Sequence, residues 1–205
     1  MSPVSPVTPF TVGIEESKLH RLHQKLGLTD FPPELDQADS AYGAPLSDVT
    51  RLAKYWKDGF DWRTQEAKLN ELPQFTTNIT VDGFGELNVH FVHQKSDVAN
   101  AIPLLFIHGW PGSFIEVTKL LPLLQGSKDE PAFHVVAPSL PNFGFSSRVS
   151  KKGFGICQYA EACNKVMLAL GYDQYALNKL PRETMPRELK SLKNRKESAV
   201  IVSVL

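Results

Sequence analysis

The sequence predicts an α/β protein in which a region of helices precedes a mostly parallel sheet. Three observations carry this. Up to about residue 75 the apolar residues recur at helical spacing; from Thr76 they alternate; from Pro103 onward strand-length apolar runs are separated by amphipathic stretches. The 205 residues suffice for one medium domain with a proper core, and 42% apolar against 21% charged residues is the balance of a soluble globular chain. Zero net charge gives no electrostatic footprint for nucleic acid or anionic lipid. No apolar run reaches the length of a membrane span, and Met1-Ser2-Pro3-Val4-Ser5-Pro6 has neither the basic nor the apolar part of a secretory signal. The expectation is a soluble, cytoplasmic protein without a transmembrane anchor.

Residues 1–9, rich in Pro, Ser, Thr and Val, read as an extended arm that docks on the domain surface. A first helix over 15–26 places Leu19, Leu22 and Leu26 on one face, and Gly27 ends it. His20 and His23 sit three apart on it; with no third ligand near, solvated histidines are favoured over a metal pair. A second helix starts near Ser47, read as its N-cap, and puts Val49, Leu52, Ala53 and Trp56 on one stripe. A third starts near Asp61, carries Trp62, Leu69 and Leu72, and stops at Pro73. Residues 76–81 and 87–93, joined through Asp82-Gly83, then read as a hairpin. Leu87, Val89, Phe91 and His93 share one face and Asn88, His90 and Val92 the other, so His90 and His93 cannot jointly hold a metal.

The apolar run 103–107 stops at His108, and Gly109-Trp110-Pro111-Gly112-Ser113 punctuates a turn. Phe114, Val117, Leu120, Leu121 and Leu124 then recur at helical spacing, predicting a helix over 113–124. Strand, tight turn and helix together aim backbone N–H groups at a developing negative charge, although an ordinary βα turn carries the same punctuation. A strand over 133–137 follows, then the loop 138–146. A helix over 156–170 has Ile156, Tyr159, Cys163, Val166 and Leu170 inward and ends at Gly171. Cys157 and Cys163 lie on this helix and read as free, buried thiols.

Several motifs, in this order, resemble the N-terminal part of microsomal-type epoxide hydrolases of the α/β-hydrolase superfamily, the soluble fungal and bacterial members in particular. They are Tyr55-Trp56, Phe60-Asp61-Trp62-Arg63, Leu69-Asn70-Glu71-Leu72-Pro73-Gln74-Phe75 and Leu87-Asn88-Val89-His90-Phe91-Val92-His93. After these come His108-Gly109-Trp110-Pro111-Gly112-Ser113-Phe114 and Pro138-Ser139-Leu140-Pro141-Asn142-Phe143-Gly144-Phe145-Ser146. The resemblance implies an incomplete α/β-hydrolase fold: an N-terminal helical meander (10–75), then the first strands of the sheet with flanking helices (76–175). It implies a hydrophobic epoxide as substrate and addition of water to give a vicinal diol, without metal or organic cofactor. An aspartate forms an ester with the epoxide, and a histidine paired with an acid activates the water. His108, Gly109, Trp110 and Pro111 then resemble half of the oxyanion hole. Trp110 supplies an N–H, Pro111 follows a cis bond and His108 braces the turn by hydrogen bonding without being the base.

In the family a strand beginning near Tyr175 ends in a Gly-Gly-Asp-Trp-Gly nucleophile elbow. Here Ala176-Leu177-Asn178-Lys179-Leu180-Pro181 follows, and no elbow occurs after it. Gly171-Tyr172-Asp173-Gln174-Tyr175 and Gly59-Phe60-Asp61-Trp62-Arg63 lack the small final residue, and Gly144-Phe145-Ser146-Ser147-Arg148 fails as a serine elbow for the same reason. The catalytic set of this chain is therefore read as none, the triad being absent from it. Residues 176–205 read as a poorly ordered tail outside the family pattern. They carry seven Lys/Arg against three Glu and end in the β-prone Ala199-Val200-Ile201-Val202-Ser203-Val204-Leu205, for which no register is specified. A translated intron, a shifted frame or an alternative 3′ exon gives such a switch. The expectation is a truncated, inactive epoxide hydrolase. The alternative is a noncatalytic isoform that binds or regulates a full-length enzyme; homo-oligomer formation is left open.

Overall fold

The computed structural model describes residues 6–37, 39–127, 130–178 and 202–204. The chain divides into two compact units, Val12–Glu71 on one hand and Met1–Thr11 with Leu72–Leu205 on the other.

The first unit holds α1 (Glu16–Gly27), α2 (Leu46–Asp58) and α3 (Trp62–Leu69). Helix α3 begins where the sequence places it, because the Asp61 carboxylate accepts the otherwise orphan N–H groups of Arg63 (2.9 Å) and Thr64 (3.3 Å). The expectation of a Ser47 cap fails. The N-cap position is Pro45, two residues earlier, and the Leu46 N–H is taken by Glu34 Oε1 at 3.0 Å, a partner twelve residues back in the chain. The Val49, Leu52 and Trp56 stripe lies exposed, and no residue of α2 is buried. Glu66 is the polar centre of the unit: its carboxylate accepts from Ile14 N (2.7 Å), Trp62 Nε1 (3.0 Å) and Arg63 Nη1 (2.6 Å). The Ile14 bond, then Arg63, hold its carboxyl below the usual range.

The second unit is built on a seven-stranded sheet in the order β1-β2-β3-β5-β4-β6-β7. Its strands are β1 (Thr8–Pro9), β2 (Gln74–Val81), β3 (Gly85–Gln94), β4 (Ile102–Leu105), β5 (Phe133–Pro138), β6 (Ala176–Asn178) and β7 (Val202–Val204). The pairs β1–β2, β2–β3 and β3–β5 are antiparallel; β5–β4, β4–β6 and β6–β7 are parallel. The N-terminal arm is thus in part a strand, with Thr8 opposite Thr76. One face of the sheet packs against α5 (Ile156–Ala169). Ile79, Val81, Leu87, Val89 and Phe91 of the hairpin meet Leu105, Val136 and Leu177 of the parallel strands and Ala162, Cys163, Val166 and Met167 of α5. Each large apolar side chain buried there contributes about 1.5–3 kcal/mol over an exposed one. Helix α5 also ties down the hairpin turn: Glu161 accepts the Asp82 N–H (3.0 Å) and Lys165 donates to Thr80 O (2.6 Å).

Three further expectations are corrected. The helix over 113–124 is instead a 3₁₀ turn at Phe114–Val117 and a short α4 at Leu121–Leu124. Pro122 is the reason: it has no N–H to give to the preceding turn, but it is tolerated in the first turn of a new helix. Ile156 and Cys157 are exposed, and only Cys163 is a buried thiol, which burial pushes up to about 12. Finally, residues 176–178, read as tail, are strand β6, and the unspecified terminal run supplies β7 with the register Ala176↔Val202, Leu177↔Ser203 and Asn178↔Val204. The expected disorder of residues 179–201 lies outside the described residues.

Candidate functional site

Because β4, β5 and β6 run parallel, the loops that leave them emerge at one edge of the sheet. In open α/β sheets that carboxyl edge is where ligands bind. The Phe106 N–H still pairs with Val136 O at 2.8 Å. At Ile107 the ladder is completed by a side chain: its N–H donates to Asn178 Oδ1 (2.7 Å), and Asn178 Nδ2 donates to its carbonyl (2.9 Å). The amide of Asn178 therefore does for β4 what one more residue of neighbouring strand would do.

His108, 1% exposed, follows at once. Its Nε2 accepts the Leu140 N–H at 3.2 Å, so the ring proton sits on Nδ1, which faces Gly109 O at 3.0 Å. Phe143 packs edge-on against the ring, the centroids 5.2 Å apart. The Trp110–Pro111 bond is cis, as the resemblance implies. Gly112 is required by closeness: a Cβ there would stand against the Glu116 carboxylate and 3.0 Å from Gly109 O. Ser113 closes the turn by accepting the Ile115 N–H at 3.3 Å. Trp110 is 84% exposed, and among the described residues its N–H is given to no hydrogen bond. The four residues singled out by sequence thus lie in one turn with a free donor at its tip.

Beneath the neighbouring loop lies a polar cluster that the sequence does not announce. His90 on β3 is fully buried, boxed by the rings of Phe10 (4.9 Å), Phe114 (4.9 Å) and Phe145 (5.2 Å). Its Nε2–H donates to Gln74 Oε1 (3.0 Å), and its Nδ1 accepts the Ser139 hydroxyl (2.8 Å). Burial holds the ring neutral, its pKa pushed down to about 4. Ser-His-Gln has the outline of a nucleophile, base and orienting group, but Ser139 is 0% exposed and no substrate reaches it. Ser146 is equally committed: it accepts the His90 N–H (2.9 Å) and donates to Ser139 O (2.6 Å). The signal that could have found this cluster is the placement of His90 on the face opposite Leu87, Val89 and Phe91. His93, on their face, donates or accepts with Tyr172 Oη at 3.1 Å instead.

Gly144 locks the loop over this cluster. It has φ +51°, and a Cβ would lie 2.5 Å from Ser139 Oγ. Gly144→Ala is expected to destabilise the fold by about 2–4 kcal/mol, combining left-handed strain with displacement of Ser139. Gly83→Ala, at φ +78° with nothing within 4 Å, is expected to cost only about 1 kcal/mol. Urea unfolding of the two variants measures the difference.

Neither decoy aspartate belongs to the site: Asp61 caps α3, and Asp173 is exposed after α5. No group of three or more His, Cys, Asp or Glu among the described residues could hold a metal ion.

Comparison with known proteins places these features. The family described as "Epoxide hydrolase N terminus" matches residues 7–117, and the one described as "alpha/beta hydrolase fold" matches residues 102–177. A Stigmatella aurantiaca protein provisionally named an epoxide hydrolase is 42% identical over 174 residues, 82% of this chain and 38% of that protein. Epoxide hydrolase 1 of Sus scrofa is 37% identical over 83% of the chain and 38% of its own length. The solved structure of Aspergillus niger epoxide hydrolase superposes with a TM-score of 0.73 at 36% identity, covering 84% of this chain and 46% of that one. The chain therefore spans less than half the length of the relatives it matches.

Proposed function

Because the chain belongs to the epoxide hydrolase family of the α/β-hydrolase fold, we propose that residues 7–178 are the N-terminal portion of an epoxide-hydrolysing catalytic fold. Their contribution to its site is one half of an oxyanion hole, the Trp110 N–H. The observation that carries this reading is that unspent donor, held at the carboxyl edge of the sheet between a buried His108 and the cis Trp110–Pro111 bond. When an aspartate ester of a hydrophobic epoxide is hydrolysed, charge gathers on the carbonyl oxygen, and a pre-aimed N–H stabilises it without reorganisation. The 205 residues contain no small-x-nucleophile-x-small elbow, so the isolated chain is expected to turn over no epoxide. A cytoplasmic location belongs to the same proposal; no described helix is long and apolar enough to cross a membrane.

Two assays with styrene oxide test the reading. The purified 205-residue chain is expected to form diol at the buffer rate, about 10⁶-fold below an intact enzyme. A chimera joining residues 1–178 to the remainder of the Stigmatella relative is expected to form diol well above that rate. Turnover by the chain alone overturns the first expectation, and a folded but inert chimera overturns the second.

A further inference from the structure

We infer that His90, buried two strands away, is a positioning residue for the Trp110 N–H, acting through Ser139, Leu140 and His108. The inference deepens the oxyanion-hole reading and rests on it for its functional meaning.

The Gly109 carbonyl and the Trp110 N–H belong to one planar peptide unit. That unit is trans, the cis bond being the next one, so fixing the direction of the carbonyl fixes the N–H to point the opposite way. What fixes the carbonyl is the His108 Nδ1–H at 3.0 Å. His108 can donate from Nδ1 in its neutral form only if Nε2 is the acceptor, and Nε2 accepts the Leu140 N–H at 3.2 Å. The place of Leu140 thus decides both the tautomer and the tilt of the ring.

Leu140 follows Ser139, and Ser139 is held to His90 at all three of its polar atoms. Its N–H donates to His90 O (2.8 Å) and its hydroxyl to His90 Nδ1 (2.8 Å). Its carbonyl takes the Ser146 hydroxyl (2.6 Å), which itself accepts the His90 N–H (2.9 Å). The far end is anchored as well, since His90 Nε2 donates to Gln74 on β2. His90 therefore fixes where the Leu140 N–H stands, and that N–H in turn sets the tautomer of His108, with its proton on Nδ1.

The test is made on the 205-residue chain labelled with ¹⁵N-histidine and needs no turnover. Long-range ¹H–¹⁵N spectra read the His108 tautomer, and amide exchange reads the Leu140 N–H. The wild-type chain is expected to show His108 protonated on Nδ1 alone. Ser139→Ala is expected to give a mixture of tautomers and to speed Leu140 exchange at least about ten-fold beyond the rest of the sheet. Ser139→Thr, which keeps the hydroxyl, is expected to restore both. If Ser139→Ala does not fold, Ser146→Ala cuts only the hold on the Ser139 carbonyl and is expected to give the same changes in smaller measure. An Nε2-protonated His108 in the wild-type chain overturns the inference without any variant. So does a variant in which exchange quickens uniformly while the tautomer stays put, since that is what a merely stabilising bond would do. An inert chimera with the expected tautomer behaviour would remove the oxyanion role and leave the wiring intact.

Discussion

In the chimera, His108→Leu is expected to lower kcat by about 10²–10³-fold while leaving KM within about two-fold, the loss typical of one oxyanion donor. The split follows from where the charge appears. Substrate binding makes no demand on an N–H whose acceptor exists only as the ester is attacked, so losing its aim affects the transition state and not the ground state. Leucine fills much of the space of the buried ring but can neither hold Gly109 O nor accept from Leu140, the two bonds that His108 makes at 3.0 and 3.2 Å. The peptide carrying the Trp110 N–H is then free to rotate. His108→Asn, whose amide can still donate to Gly109 O, is expected to keep a larger share of kcat than His108→Leu. Steady-state kinetics of the three chimeras decide it. A His108→Leu chimera with kcat within two-fold of the parent would leave His108 as packing only.

Much of the fold is legible in the residues because its signals are local. The hairpin shows a period of two with Asp82-Gly83 between its arms, and the structure pairs Ile79 with Leu87 and Val81 with Gly85 around that turn. Asp61 sits at a helix start with two N–H groups in reach, and it caps them. The His108–Pro111 turn is legible for the same reason, being a strand end followed by residues that allow no regular continuation. Where reading by period fails, another rule overrides it: Pro122 splits a helical run of apolar residues, and Pro45, not Ser47, stands ahead of the first turn of α2, where Glu34 accepts the Leu46 N–H. The His90 cluster fails for a different reason. Its partners Gln74 and Ser139 lie 16 and 49 residues away, and no spacing rule links residues that only a sheet brings together. Asn178 is illegible in the same sense, since its value depends on ending a strand beside Ile107.

The same buried histidines make the second unit sensitive to acid in a defined window. His90 and His93 both have their pKa pushed down to about 4, His90 by burial and His93 by burial first, then by Lys95 and His134. Among the described residues the rings against His90 are those of Phe10, Phe114 and Phe145; His93 lies against Phe75 and Tyr172. In the unfolded chain each returns to the ordinary value near 6.5. Between pH 6.5 and 4 the unfolded chain therefore binds protons that the native chain refuses, and stability falls as pH falls. Above 6.5 the contribution is fully present; below 4 both states hold the proton and nothing more is lost. Each histidine is expected to account for about 3 kcal/mol across the window, so unfolding near pH 5 takes up close to two protons. Glu66 and Asp61 are held below the usual carboxylate range, so their losses set in only as pH falls through their ordinary values of 4.5 and 3.8, at the acid end of this window. Urea unfolding at intervals from pH 7.5 to 4.5 measures the slope. His93→Gln, which removes one titrating ring, is expected to halve it. A free energy of unfolding that stays level from pH 6.5 to 4.5 would mean that neither ring is held neutral by the fold.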